Sequence, residues 1–146
     1  MQGDFDEVKL GQVLKFRNGK SISVNEDGSY PVYGSNGLIG RSDEYKHSNA
    51  LIIGRVGAYC GSVEYCRGRF WASDNTIVAW PKNAAYDVKF LYYLLSDFNL
   101  HSYAGGSAQP LITQTVLKQV ETCIPPLPTQ RKIAAVLSAY DDLIEN

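Results

Sequence analysis

Pro125, Pro126 and Pro128 stand just ahead of an apolar stripe that runs to the end of the chain. Proline lacks a backbone N–H, fixes φ, and pushes the residue before it toward extended backbone. The prolines are therefore expected to keep a helix from starting before Thr129, whose hydroxyl can accept from the amides one turn on. Behind it, Ile133, Val136, Tyr140 and Leu143 recur at helical spacing, and Leu137 and Ile144 widen the stripe. A helix over 129–146 spans about 27 Å at 1.5 Å per residue. So wide an apolar face does not sit freely in water. The part nearest Ile133 is expected to pack on its own domain, and the part around Tyr140 and Ile144 to take another helix. No glycine or proline stop precedes Asn146, so the helix reads as begun and not finished. The expected division is a domain over 1–128 and the start of a long helix over 129–146.

Residues 8 to 80 read as short β segments punctuated by glycine. Tyr30–Tyr33, Leu51–Gly54, Ser62–Tyr65 and Thr76–Trp80 are rich in Val, Ile, Tyr and Trp, as strands are. Turns this frequent point to a barrel-like or β-helix-like β domain, not to a parallel α/β sheet. Helices come later: Asp87 can cap a helix over Val88–Leu100 with Leu91, Leu94, Leu95 and Phe98 on one face. A helical turn follows Thr113 over Gln114–Lys118, and Val120–Ile124 reads as a strand returning to the sheet. The expected class is α+β.

Catalytic signatures are missing. Ile124-Pro-Pro-Leu127 lacks the polar residue and the ring of the Asn/Asp-Pro-Pro-aromatic tetrapeptide that marks amino-methyltransferases. No glycine-rich loop leads from a strand into a helix, and no phosphate-cradling Gly-x-x-x-x-Gly-Lys-Ser/Thr occurs. Cys60, Cys66 and Cys123 are too widely set for a usual zinc site, with only His47 and His101 to help. An odd number of cysteines and no secretory leader fit reduced thiols in a cytoplasm. No metal and no resident cofactor are expected.

A net charge of −1 does not announce a nucleic-acid binder. Setting aside Asp141, Asp142 and Glu145, however, leaves 14 basic side chains against 12 of the 15 acidic ones, a net +2. The densest basic stretch has Arg55, Arg67 and Arg69 facing only Glu64, a patch compatible with phosphate contact. Around it lie Tyr59, Ser62, Tyr65, Trp71, Ser73 and Asn75. Arginine can fork onto guanine or phosphate, and Asn or Gln can pair with the adenine edge. Lys20, Ser21, Ser35, Asn36, Arg41, Ser107, Gln109 and Thr113 sit in Gly- or Pro-flanked loops, where glycine would let backbone amides approach phosphates closely. A structural reading stands beside each. Tyr65 and Trp71 suit a strand core, Asn36 suits the turn Ser-Asn-Gly, and Asp74-Asn75 suits a bend.

Pro125-Pro-Leu-Pro-Thr-Gln-Arg-Lys-Ile-Ala-Ala-Val-Leu137 resembles the junction where a target recognition domain passes into the spacer helix of type I restriction–modification specificity subunits. Lys9-Leu-Gly-Gln-Val-Leu14, Tyr30-Pro-Val-Tyr-Gly-Ser-Asn-Gly-Leu-Ile-Gly40, Leu51-Ile-Ile-Gly-Arg-Val-Gly57 and Gly105-Gly-Ser-Ala-Gln109 resemble the same family, in the expected order. The resemblance implies a module that reads one half of a bipartite duplex-DNA target without catalysing anything. It implies separate modification subunits that methylate adenine with S-adenosylmethionine. It further implies a restriction subunit, with ATP and Mg confined to these partners. A complete subunit usually has two recognition domains and two long helices, so one domain and a stub read as half a subunit. The stripe Ile133, Val136, Leu137, Tyr140, Leu143 and Ile144 would then meet a second such helix. Two other readings remain open: a specificity domain severed from a fused restriction–methylation enzyme, and a glycan- or protein-binding β module.

Overall fold

The computed structural model describes residues 5–106 and 108–145. The chain runs β1 Asp6–Lys9, α1 Leu10–Val13, β2 Leu14–Asn18, β3 Tyr30–Gly34, β4 Gly37–Ser42, β5 His47–Gly54, β6 Val63–Ala72 and β7 Thr76–Pro81. Then come α2 Val88–Asp97, a 3-10 turn Leu100–Tyr103, α3 Gln114–Gln119, β8 Glu121–Ile124 and α4 Leu127–Glu145. Among the described residues β2-β7-β5-β6-β3-β4 form a six-stranded mixed sheet, in which only the β3–β6 pairing is parallel.

β5 and β7 are central because they can be buried on both faces. Successive side chains of a strand point to opposite faces. Leu51, Ile53, Ile77 and Ala79 join Leu10, Val13, Leu91, Leu95 and Leu117 of the helices in one core. Ala50, Ile52 and Val78 join Phe70 and Ala72 in a second core, with Tyr33, Cys66 and Trp80 packed against it. The second core exists because the sheet curls over itself. Gly19 N–H donates to Thr76 O at 2.9 Å, and the next amide, that of Lys20, donates to Ala72 O at 3.0 Å. One short segment therefore ties the end of β6 to the start of β7. The segment must come close, and a Cβ on Gly19 would overlap the Ser73 carbonyl oxygen.

The α+β expectation holds, and the wall is an open, curled sheet, not a closed barrel. β3 meets β6 only at Val32–Trp71 and Tyr33–Ala72, and β4 ends the order. The four strands expected between residues 30 and 80 are present and longer, and β1, α1, β2 and β4 join them. Helix α2 is capped as expected, Asp87 accepting from Phe90 N–H at 2.9 Å. It stops at Asp97, and Leu100 opens the 3-10 turn instead. Thr113 caps α3 through Val116 N–H at 3.2 Å.

Two expectations at the C-terminal junction are corrected. β8 does not return to the main sheet but pairs antiparallel with β1, from Asp6–Ile124 to Lys9–Glu121. Val120 O is already taken by Leu10 N–H at 2.9 Å, and the largely exposed β8 suits a ribbon better than a two-sided core. Helix α4 begins at Leu127, not Thr129. Gln130 N–H reaches Pro126 O at 3.0 Å, so Pro128 sits in the first turn, where no partner is needed for an N–H.

Candidate nucleic-acid interface

Five connecting segments converge at one end of the sheet. They are the exit from β2 (19–21), the β3–β4 turn (35–36), the β5–β6 loop (55–62), the β6–β7 turn (73–75) and the segment before α3 (108–112). Hydrogen bonds knit them into one platform. Ser62 Oγ donates to Ser35 O at 2.8 Å, and Arg55 N–H to Asn75 O at 2.8 Å. Gly57 N–H donates to Pro110 O at 3.0 Å, Ile112 N–H to Arg55 O at 2.9 Å, and Ser73 N–H to Tyr33 O at 2.9 Å. Gly54 permits the crowding, since a Cβ there would lie 2.6 Å from Tyr59 O and 2.8 Å from Ser35 O.

The structure sorts the sequence candidates. Lys20, Ser21, Asn36, Tyr59, Asn75 and Gln109 stand exposed on or beside this platform, Tyr59 with 55% of its surface free. Arg55 is half-buried and forks onto Asp74 O, from Nε at 3.1 Å and Nη2 at 2.8 Å. It shapes the platform more than it offers a free cation. Ser35 is half-buried, its carbonyl taken by Ser62 Oγ. Ser107 lies outside the described residues.

Other candidates have work inside the protein. Ser73 is buried, and its Oγ accepts from Asn75 N–H at 3.3 Å. Arg41 forks onto Gly28 O at 2.7 Å and Ser29 O at 2.8 Å, pinning the segment before β3 to β4. The expected single patch of Arg55, Arg67 and Arg69 does not form. Arg69 lies opposite Ser48, whereas Arg55 follows Gly54, which lies opposite Thr76. Those register positions are about 20 Å apart along β5. Arg69 instead stacks over the Tyr45 ring, 4.9 Å from its centroid. Arg67 falls in the irregular stretch where the β5–β6 register shifts.

What the platform offers chemically is hydrogen bonding and charge. Asn36, Asn75 and Gln109 each carry a donor and an acceptor, the pair an adenine edge requires. Cys60 is buried, which raises its thiol pKa, and its Sγ lies 3.5 Å from Arg55 O. His101 Nδ1 meets the carbonyl of Cys60 at 2.7 Å, not its sulfur. Among the described residues, no three His, Cys, Asp or Glu side chains group to hold a metal, and no helix is long and apolar enough to cross a membrane.

Sequence reasoning missed two features here. Gln130 is buried; it fastens α4 to the loop before α2 through Asp87 N–H and Ala85 O at 2.8 and 3.0 Å, and to the chain entering α4 through Pro125 O at 2.9 Å. Arg17, Lys46 and His47 come together beside Lys20 and Trp71, although they are scattered in sequence. Farther along α4, Ile133 packs on the main core and Ala134 is buried. Val136, Leu137, Tyr140, Leu143 and Ile144 are exposed, from 37% at Leu137 to 77% at Leu143.

Comparison with known proteins agrees with this architecture. The chain is similar to the specificity subunit of the type I restriction enzyme EcoprrI of Escherichia coli, 33% identical over 94% of this chain and 37% of that protein. It is 29% identical to the MpnII specificity subunit of Mycoplasma pneumoniae, over 95% of this chain and 44% of that one. The crystal structure of a type I restriction-modification S subunit from M. genitalium superposes with a TM-score of 0.85 at 21% identity, covering 97% of this chain and 40% of that one. The chain thus spans less than half the length of these relatives. A family model, the type I restriction modification DNA specificity domain, matches residues 2–146, and it is to this family that the chain belongs.

Proposed function

We propose that the chain is a sequence-reading module for duplex DNA, covering one half of a bipartite target and supplying no catalytic group. The observation that carries this reading is the knitted platform, from which Lys20, Asn36, Tyr59, Asn75 and Gln109 project. Cross-bonded loops hold the backbone beneath these side chains in place before binding, so less ordering entropy is lost when a partner docks. Exposed amides beside cations match the division between base edges and phosphates that DNA recognition requires. Membership in the DNA specificity domain family supports the same reading.

In this proposal the chemistry lies in other cytoplasmic chains. Modification subunits methylate adenine with S-adenosylmethionine, and a restriction subunit uses ATP and Mg. Helix α4 is the spacer that sets the distance to a second half-site. Its outer face, Val136, Leu137, Tyr140, Leu143 and Ile144, pairs with a matching helix from a second copy or a second half. Ile133 closes the seam against the domain.

Selection from a randomised duplex library tests this. The chain should enrich one short half-site, with affinity falling steeply as salt rises. No enrichment, with salt-insensitive capture of a glycan, would favour a sugar-binding wall.

A further inference from the structure

A second concavity lies beside the platform, where the end of β6 curls onto the segment leaving β2. It encloses about 210 Å³ and is walled by Arg17, Lys20, Lys46, His47 and Trp71, with no acidic residue in its lining. That is less than the roughly 300–1,000 Å³ of sites that engulf a cofactor-sized ligand, and ample for a phosphodiester group. The charge cannot be the by-product of a generally basic surface, because the whole chain carries −1. Like charges gathered in a cleft repel one another and focus their field on whatever anion enters.

The walls are built, not incidental. Trp71 Nε1–H donates to Lys20 O at 2.7 Å, and Lys20 N–H to Ala72 O at 3.0 Å, fixing the indole against the segment that carries the lysine. His47 is held between Phe70 and Trp80, its ring 5.7 and 5.6 Å from theirs. Burial lowers the pKa of His47, and the neighbouring Lys46 and Arg17 lower it further. The imidazole thus feels a positive field from its surroundings. The cations come from β2, from its exit and from the residue before β5, so only the assembled sheet unites them.

Resting on the recognition reading above, we propose that this cleft is a phosphodiester site that grips the DNA backbone alongside the bases read by the platform. Two features favour DNA over a free anion. Lys20 belongs to both cleft and platform, and Ala72 leads directly into the Ser73–Asn75 turn. A duplex laid across the exposed amides would run its backbone past the cleft. A phosphate there fixes register and orientation without reading sequence.

The test is the double variant R17Q/K46Q of the full chain. Both side chains are exposed, and circular dichroism would verify the fold. Duplex affinity should fall for every sequence alike, and the slope of log K against log salt should flatten by about one. The half-site enriched from a random library should not change. In the wild type, the Trp71 indole N–H resonance, assigned with W71F, should shift with duplex DNA and not with inorganic phosphate at equal concentration. An unchanged salt slope in the folded variant, while the wild type still selects its half-site, overturns this site alone. An equal shift with inorganic phosphate makes the cleft a free-anion site and overturns the DNA assignment. A wild type that binds no duplex at low salt overturns the recognition reading and the cleft together.

Discussion

Gln130 Oε1 accepts the backbone N–H of Asp87 at 2.8 Å. Asp87 in turn caps α2 through Phe90 N–H. One buried amide at the start of α4 thus sets where α2 begins, and its Nε2 also holds Ala85 O and Pro125 O. Gln130→Ala should cost about 2–4 kcal/mol, since it leaves buried polar groups unpaired. Urea unfolding would show this as a lower midpoint at unchanged slope. A loss below about 0.5 kcal/mol would mean that water replaces the amide without penalty.

Gly19 fixes the β2 exit to the rest of the platform. Its own amide and that of Lys20 bridge Thr76 O and Ala72 O, and a side chain would collide with the backbone of Ser73. Gly19→Ala should destabilise by about 1–3 kcal/mol, as overpacking does. It should also shift the amide resonances of residues 72–76. Unperturbed resonances there would show that the approach is looser than the geometry states.

Specificity and affinity should separate on this surface. Gln109→Ala should relax choice at one base pair by about 1–3 kcal/mol if its amide reads an adenine edge. Arg67→Ala, off the platform, should change duplex affinity by no more than about 0.5 kcal/mol. Competition binding with single-site duplex variants measures both. A larger effect from Arg67 than from Gln109 would move the interface onto β6.

The sequence conveyed some of this and hid the rest for physical reasons. Asp87 and Thr113 announced their helices because capping is local, needing only the residues within one turn. The apolar periodicity of β5, β7 and α2 was equally plain. Helix α4 began two residues early because proline breaks helices only where an N–H is required, and the first turn requires none. The loop residues of the platform could be named from the sequence, but the basic cleft was not legible as a site. Counting charge along the chain grouped Arg55 with Arg67 and Arg69, which the strand register separates. Arg17 and Lys46 look like isolated surface charges until β7 and β5 bring their strands together. Gln130 gave no signal, since nothing local shows that a polar residue on a helix is buried.

The contact between α2 and α4 should be visible in the pH dependence of stability. Tyr93 donates its hydroxyl to Asp141 Oδ2 at 2.7 Å. Burial first, and the carboxylate beside it second, push the Tyr93 pKa up to about 12. The unfolded chain ionises this phenol near its ordinary value of about 10. Below that pH both states keep the proton and the stabilisation is intact. Between about pH 10 and 12 the unfolded state alone releases it, so stability falls as pH rises. Tyr93→Phe should remove this component and flatten the alkaline limb of a pH–stability curve. An identical limb in both proteins would assign the loss to another group.

The outer face of α4 carries the last prediction. Gln130 and Asp141 bind one side of the helix to its own domain at both ends, which fixes the side left over. Val136, Tyr140 and Leu143 on that side are 68%, 62% and 77% exposed. Their alternating four- and three-residue steps form the seam of a helix that packs against another along its length. Leaving such a stripe in water forfeits its burial, about 25 cal/mol for each Å² of apolar surface. The intact chain should therefore self-associate, or take up a matching helix, at micromolar concentration. Tyr140→Glu with Leu143→Glu should abolish this, because carboxylates in an apolar seam must be desolvated, and should leave the fold intact. Sedimentation velocity across a concentration series distinguishes the outcomes. A wild type that stays monomeric throughout, and takes up no matching helix, would show that this face does not serve as the seam.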